Sequence, residues 1–417
     1  MAIKKIRILN FKSFKDLEIE LGKFNVLIGA NASGKSNFIQ IFKFLRDITN
    51  YGLDNAISMQ GGVEYLRNIN IGPSKNFSLE VTSDQEFGFV RKKEEELIEI
   101  KTYETIYKFV IKFRQRGPGF EIAEDKLTMK CHFIRLENQK KKLEEKEKLG
   151  QGEIILSNNK GKVDADLNPL NEVPLGINDI FPPFLREEKL PSKTLLLKAP
   201  FFFIPFPSEE IFGSISIYDF DPKLPKKATP ITGKADLEED GNNLAIVLKN
   251  IIKNKNKERK LSNLVRDLLP FVNKLDVEKF ADKSLLFKLQ EIYARGQYLP
   301  ASLISDGTIN ITALIIALYF ERKSLTIIEE PERNIHPYLI ANVVDMMKDA
   351  SQKKQILVTT HNPEIVKHTD LENLLFMSRD EKGFSMISRP SDKEEVETCL
   401  ENEIGIEELY VQDLLGV

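Results

Sequence analysis

The chain has 417 residues, 41% of them hydrophobic and 29% charged, with a net charge of -3. That is apolar content enough for one or two cores, with no bulk field toward nucleic acid or lipid, so any polyanion contact needs a local patch. Two cysteines, Cys131 and Cys399, argue against a disulfide framework or a structural zinc centre; with no apolar run of bilayer-crossing length and no leader-like N-terminus, a cytoplasmic location without a membrane partner is expected.

Residues 3–9 alternate as a strand does, Asn10-Phe11-Lys12-Ser13-Phe14 turns, and Leu17 to Leu21 begins a second strand. Phe24 to Ile28 is a short buried strand, and Asn37 to Leu45 has a helical apolar face of Phe38, Ile39, Ile41, Phe42 and Leu45. Between them stands Gly29-Ala30-Asn31-Ala32-Ser33-Gly34-Lys35-Ser36, a complete G-x-x-x-x-G-K-S phosphate loop. Glycines let the backbone approach a ligand, and the helix N-terminus offers unpaired N–H groups to phosphate oxygens. Gly29, Asn31, Ala32, Ser33, Gly34, Lys35, Ser36 and Asn37 are therefore the expected nucleotide-binding set. Lys35 reaches the β- and γ-phosphates, and the Ser36 hydroxyl binds Mg2+.

From Phe77 to about Phe133 the pattern predicts several strands, an antiparallel sheet added to the nucleotide core. Asn138 to Lys148 is a mixed-charge run, a helical hairpin tip or an exposed loop, without the heptads of a coiled-coil arm. Residues 169–230 are proline-rich and predicted irregular. Leu244 to Leu289 has helical spacing interrupted by Pro270, and a second α/β block runs from Leu303. About 270 residues separate the phosphate loop from Ser305-Asp306-Gly307, so the C-terminal block must complete the core around an inserted middle.

Ser324 to Ile328 is a β-branched strand suited to a sheet buried on both faces, and Glu329 and Glu330 follow at its carboxyl end, the ligand-binding edge of such sheets. Paired carboxylates there are costly unless a cation offsets them. Glu329 is assigned to Mg2+, directly or through water, and Glu330 to orienting and deprotonating the attacking water. His361 ends the next strand, Gln355 to Thr360, where it would hydrogen-bond the γ-phosphate or that water.

With these residues placed, the chain resembles the ABC-class ATPases, closest to their RecF/SMC-like and OLD-like group, often called AAA family ATPases in bacteria and archaea. The resemblance covers roughly residues 1–60 and 300–380. It is carried by the opening Asn10 to Phe14; by Ile304-Ser305-Asp306-Gly307-Thr308, an S-D-G-T version of the signature; by Glu329-Glu330-Pro331-Glu332-Arg333-Asn334-Ile335-His336-Pro337; by Thr360-His361-Asn362-Pro363-Glu364; and by Asp240 to Leu244. It implies an α/β ATPase head with a mixed central sheet, a flanking antiparallel sheet, a helical signature subdomain and a central insertion. The expected domains are an N-terminal ATPase lobe (1–135), an irregular or β insertion (136–235), a helical subdomain (236–310) and a C-terminal ATPase lobe (311–417).

The resemblance further implies ATP hydrolysis with Mg2+ in a head-to-tail dimer or higher oligomer. Ser305, Asp306 and Gly307 of one copy would complete the pocket holding Lys35 of the other. Glu329 stands where transporter-type relatives have aspartate. Glu332 and His336 occupy the D-loop-like region, and Gln60 and Gln85 are the candidates for the glutamine that contacts Mg2+. DNA, or a separate nuclease or toxin effector, is the expected partner. A basic cluster from Lys249 to Lys260 is the candidate phosphate contact. Asn273-Lys274-Leu275-Asp276 spells a guanine-reading motif, but in a predicted helix, which disfavours a GTPase; the long insertion disfavours a transporter. About 55 residues follow His361, too few for a Toprim nuclease of the OLD type, and Asp164, Asp166, Asp219 and Asp221 read as surface acids.

Overall fold

The computed structural model describes residues 3–117, 119–139, 142–170, 173–181, 189–199, 206–281, 283–294, 296–394, 396, 399 and 405–412. The chain forms two compact units built from interleaved segments. The first comprises Met1–Gly22, Ser36–Ser214 and Arg379–Ile387; the second comprises Lys23–Lys35, Ile215–Ser378 and Ser388–Val417.

The first unit is an antiparallel sheet in the order Phe14–Glu20, Lys5–Phe11, Phe77–Ser83, Glu96–Phe113, Phe120–Gln139, Lys142–Asn159, Lys162–Pro169, with Phe87–Lys93 also pairing with Glu96–Phe113. Strict alternation makes the strands: Phe77, Leu79 and Val81 are buried while Ser78, Glu80 and Thr82 are half-buried. The buried face meets the helix Lys35–Tyr51, where Phe11, Phe44, Phe77 and Phe109 pack with ring centroids 5.6 to 6.3 Å apart. Asp125 shares the buried parity of Leu127 and Met129. It accepts hydrogen bonds from Tyr107 Oη at 2.8 Å, Asn158 Nδ2 at 2.8 Å and the Leu196 N–H at 2.9 Å. Burial pushes its carboxyl up to about 6, although all three donors oppose the shift.

The mixed-charge run is neither helical nor a loop where described. Asn138 pairs with Leu143 and Gln139 with Lys142 as a β-hairpin end, and Lys140 and Lys141 lie outside the described residues. Its alternating charges complement the facing strand, as in the Arg135–Glu147 and Lys146–Glu137 pairs. The expected boundary at 135/136 thus falls inside the strand Phe120–Gln139, and Lys142–Pro169 extends the same sheet.

The second unit holds parallel strands in the order Ser216–Tyr218, Leu325–Glu329, Gln355–Thr360, Phe24–Ile28, Leu374–Arg379. Phe24–Ile28 and Gln355–Thr360 are buried at every residue, as expected of a sheet covered on both faces. The helices Asp306–Tyr319 and Pro337–Ser351 supply much of the cover. The helical prediction for 244–289 holds only for Leu244–Ile252 and Lys255–Leu268. Val272–Phe280 and Ser284–Glu291 are instead an antiparallel pair. Pro270 ends the helical stretch, and Leu285, Phe287 and Leu289 bury in alternation, a period of two rather than 3.6. Among the described residues, no helix is long and apolar enough to cross a membrane.

Candidate active site

Strand register assembles the site. Ile28 lies opposite Thr360, and Glu329 opposite Thr359, so Gly29, Glu330 and His361 all leave the parallel sheet from its carboxyl edge. In the phosphate loop, Ala32 and Gly34 take positive φ of 63° and 119°, and a side chain at Gly29 would collide with the Met377 carbonyl oxygen. Lys35 Nζ donates to the loop's own Gly29 and Ala30 carbonyls at 2.7 and 3.0 Å. Partial burial pulls its amine below the ordinary lysine range, against the opposing fields of Glu330 and Glu332. The two carboxylates therefore act on the same ammonium that a triphosphate would engage. Lys35→Ala is expected to weaken Mg-ATP binding about 30-fold, read by titration calorimetry, because one charge-assisted phosphate contact is lost. Ser36 and Asn37 continue the helix that Lys35 opens.

Glu329 ends its strand half-buried. Glu330 then turns with φ 46°, its N–H donating to Thr359 O at 2.8 Å. Such a conformation is strained for a non-glycine residue and is concentrated at functional sites. Oε1 of Glu330 lies 2.9 Å from His361 Nδ1, and Oε2 accepts from Arg333 Nη2 at 3.0 Å. Burial alone would raise this carboxyl, but Arg333 and His361 outweigh it and hold it below the usual glutamate value. Glu332 is buried and accepts from Thr360 Oγ1 at 2.5 Å. Desolvation raises its carboxyl, Thr360 opposes this and neighbouring Glu330 adds to it. The second oxygen of Glu332 has no hydrogen-bond partner among the described residues.

Ser305 is exposed and caps the helix Asp306–Tyr319, accepting from the Thr308 N–H at 3.2 Å. A Cβ at Gly307 would lie 2.5 Å from Asn334 O, so glycine lets this helix start against the turn after the acidic pair. Asp306 pairs with Lys226 at 2.5 Å, and Asn310 Nδ2 donates to Arg333 O at 2.6 Å. His336 is exposed and caps the helix Pro337–Ser351, with the Tyr338 N–H 3.4 Å from its Nδ1. Glu332 and His336, grouped together in the sequence, thus differ: one is buried against Thr360, the other faces out.

In the first unit, Gln60 is buried and donates from Nε2 to Gln40 Oε1 at 3.1 Å, and Gln85 follows the strand Phe77–Ser83, its N–H donating to Ser83 Oγ at 3.2 Å. Asn273 to Asp276 lies on a strand, not a helix. Asp164 accepts from Asn159 Nδ2 at the end of the first unit's sheet. Asp219 is more than a surface acid: it pairs with Arg333 at 2.8 Å beside the acidic turn. Arg333 and Thr360 are further residues of the site that the motifs do not single out; Arg333 lies three residues after Glu330, and Thr360 directly before His361.

No curated protein matches the chain. Among solved structures, the fold is similar to an SMC head bound to the C-winged helix domain of ScpA, with a TM-score of 0.50 and 14% identity over 93% of this chain and 96% of that one. An SMC head domain from Thermotoga maritima aligns with a TM-score of 0.40 and 14% identity over 93% and 99% of the two chains. A Pyrococcus furiosus Smc head domain with an extended coiled coil, bound to the C-terminal domain of ScpA, aligns with a TM-score of 0.43 and 14% identity over 96% and 99%. A family model described as "AAA domain, putative AbiEii toxin, Type IV TA system" matches residues 24–367. The chain belongs to that AAA-domain family, and its fold is that of an SMC-like ATPase head.

Proposed function

We propose that the chain is an ATPase that binds Mg-ATP and hydrolyses it at a head-to-tail interface between two copies, in the cytoplasm. The observation that carries this reading is Glu330, held by His361 at 2.9 Å at the same sheet edge as the Lys35 phosphate loop. Lys35 and the loop N–H groups bind the phosphates; Ser36 and Glu329 would hold Mg2+, which when bound would supply charge neutralisation to the phosphates. Glu330 orients and deprotonates water, with His361 completing the arrangement. Ser305 and Gly307 face a neighbour's nucleotide. Leu303 and Tyr338, 69% and 70% exposed, flank the signature and the His336 cap in sequence and are apolar side chains that such an interface would cover. Sedimentation tests it: excess Mg-ATP should convert monomer to dimer, and a persistent monomer argues against the in-trans assignment.

The process served is work on DNA, in genome maintenance or in defence against phage and plasmids. Lys253, Lys255, Lys257 and Arg259 are exposed around the start of the helix Lys255–Leu268, where Glu258 is the one acid within the run. Reversing these four to glutamate is expected to lower duplex affinity at least tenfold and flatten the log–log salt dependence by about one unit per lost phosphate contact, measured by fluorescence anisotropy. A second reading, a regulatory ATPase that holds a nuclease or toxin effector, is favoured by the first unit. Several of its sheet cations are neutralised locally, in pairs such as Lys5–Glu18, Lys108–Glu124 and Lys130–Glu104. Unchanged affinity and slope in the reversed variant, with turnover insensitive to DNA, would favour that reading.

A further inference from the structure

We propose that Arg333, braced by Asp219, is a positioning residue for Glu330. This rests on the reading of Glu330 as the group that orients the attacking water. An unrestrained glutamate on a half-buried turn can adopt several side-chain rotamers, and each unproductive one reduces the fraction of bound substrate ready to react. Two neighbours restrict Glu330, one at each oxygen: His361 at Oε1 and Arg333 at Oε2. His361 is itself exposed. The Arg333 side chain is braced at Nη1, and its main chain is tied separately. Its Nη1 donates to Asp219 Oδ1 at 2.8 Å and to Phe220 O at 3.3 Å. These residues follow the strand Ser216–Tyr218, which runs parallel to the Glu329 strand. The Arg333 carbonyl in turn accepts from Asn310 of the signature helix at 2.6 Å.

A planar guanidinium held at Nη1 presents its Nη2 to Glu330 in a defined direction, which a lysine cannot reproduce. Each Glu330 oxygen keeps a second lone-pair direction for water. Asp219 pairs with Arg333 and, among the described residues, makes no hydrogen bond or ion pair with Glu330, so its influence passes through the arginine. Ion pairs this exposed add little to stability, so the pair should register in turnover rather than in folding.

The test is a double-mutant cycle in the full chain. Arg333→Ala is expected to lower kcat about 30-fold, with ATP Kd and melting temperature unchanged. Asp219→Ala should lower kcat about fivefold, and the double variant should match Arg333→Ala alone, because the brace has nothing left to hold. Arg333→Lys should fall between the parent and Arg333→Ala. The proposal is overturned if Arg333→Ala keeps kcat within twofold, if the loss appears in Kd, or if the two single losses multiply. Glu330→Gln in the same assay separates the failures. If it turns over normally, the site assignment falls and the pair with it; if it is inactive while Arg333→Ala is not, the pair alone falls.

Discussion

Replacing Glu330 with glutamine lowers steady-state ATP turnover by about three orders of magnitude while ATP affinity stays within a few-fold of the parent. Glutamine has the same shape and still offers an oxygen to Arg333 or His361, but it cannot accept a proton from water. Binding rests on the phosphate loop, so substrate is still held, and with the chemical step slowed the nucleotide-bound assembly accumulates. Phosphate release under single-turnover conditions gives the rate, and sedimentation with Mg-ATP shows the trapped dimer. Turnover within fivefold of the parent would remove Glu330 from the chemistry; a slow variant that stays monomeric would keep the base and remove the in-trans signature.

Asp125→Ala is the largest expected stability loss, about 3–5 kcal/mol, because it leaves Tyr107 Oη, Asn158 Nδ2 and the Leu196 N–H without their common acceptor inside the first unit. Calorimetry should show a lowered transition, and amide exchange at Leu196 should rise first. The pH dependence has a definite sign. The folded carboxyl titrates near 6, against an ordinary 3.8, so the folded state binds the proton more tightly. The Asp125 contribution is greatest below about pH 4, declines as pH rises through about 6, and is constant above; two units correspond to roughly 3 kcal/mol. The stability difference between the parent and the non-titrating Asp125→Asn should therefore shrink from pH 4 to pH 6.5. A difference that is flat over this range would mean the buried carboxyl does not change charge there.

The nucleotide site was legible because its chemistry is written in contiguous strings. The phosphate loop, the Glu329–Glu330 pair and His361 each follow a run of apolar residues, and parallel register brings the runs together. What was not legible depends on distant residues or on choosing between periods. Asp219 and Arg333 are 114 positions apart, and neither carries a local pattern that announces the other. The strands Val272–Phe280 and Ser284–Glu291 were hidden by a helical-looking lead-in, although Leu285, Phe287 and Leu289 alternate. Asp125 sits between Glu124 and Lys126 and resembles a surface charge, yet its parity with Leu127 and Met129 assigns it to the inside.

The interleaving of the two units has a consequence for biogenesis. The phosphate-loop strand Phe24–Ile28 is synthesised long before its parallel neighbours, Gln355–Thr360 and Leu374–Arg379. The second unit's sheet cannot close around it until more than 300 further residues have been synthesised. Chain closure over such separations is slow and leaves apolar edges exposed in the interval. A nascent chain stalled before residue 355 would carry the entire phosphate loop and still lack the strands that give the loop its place.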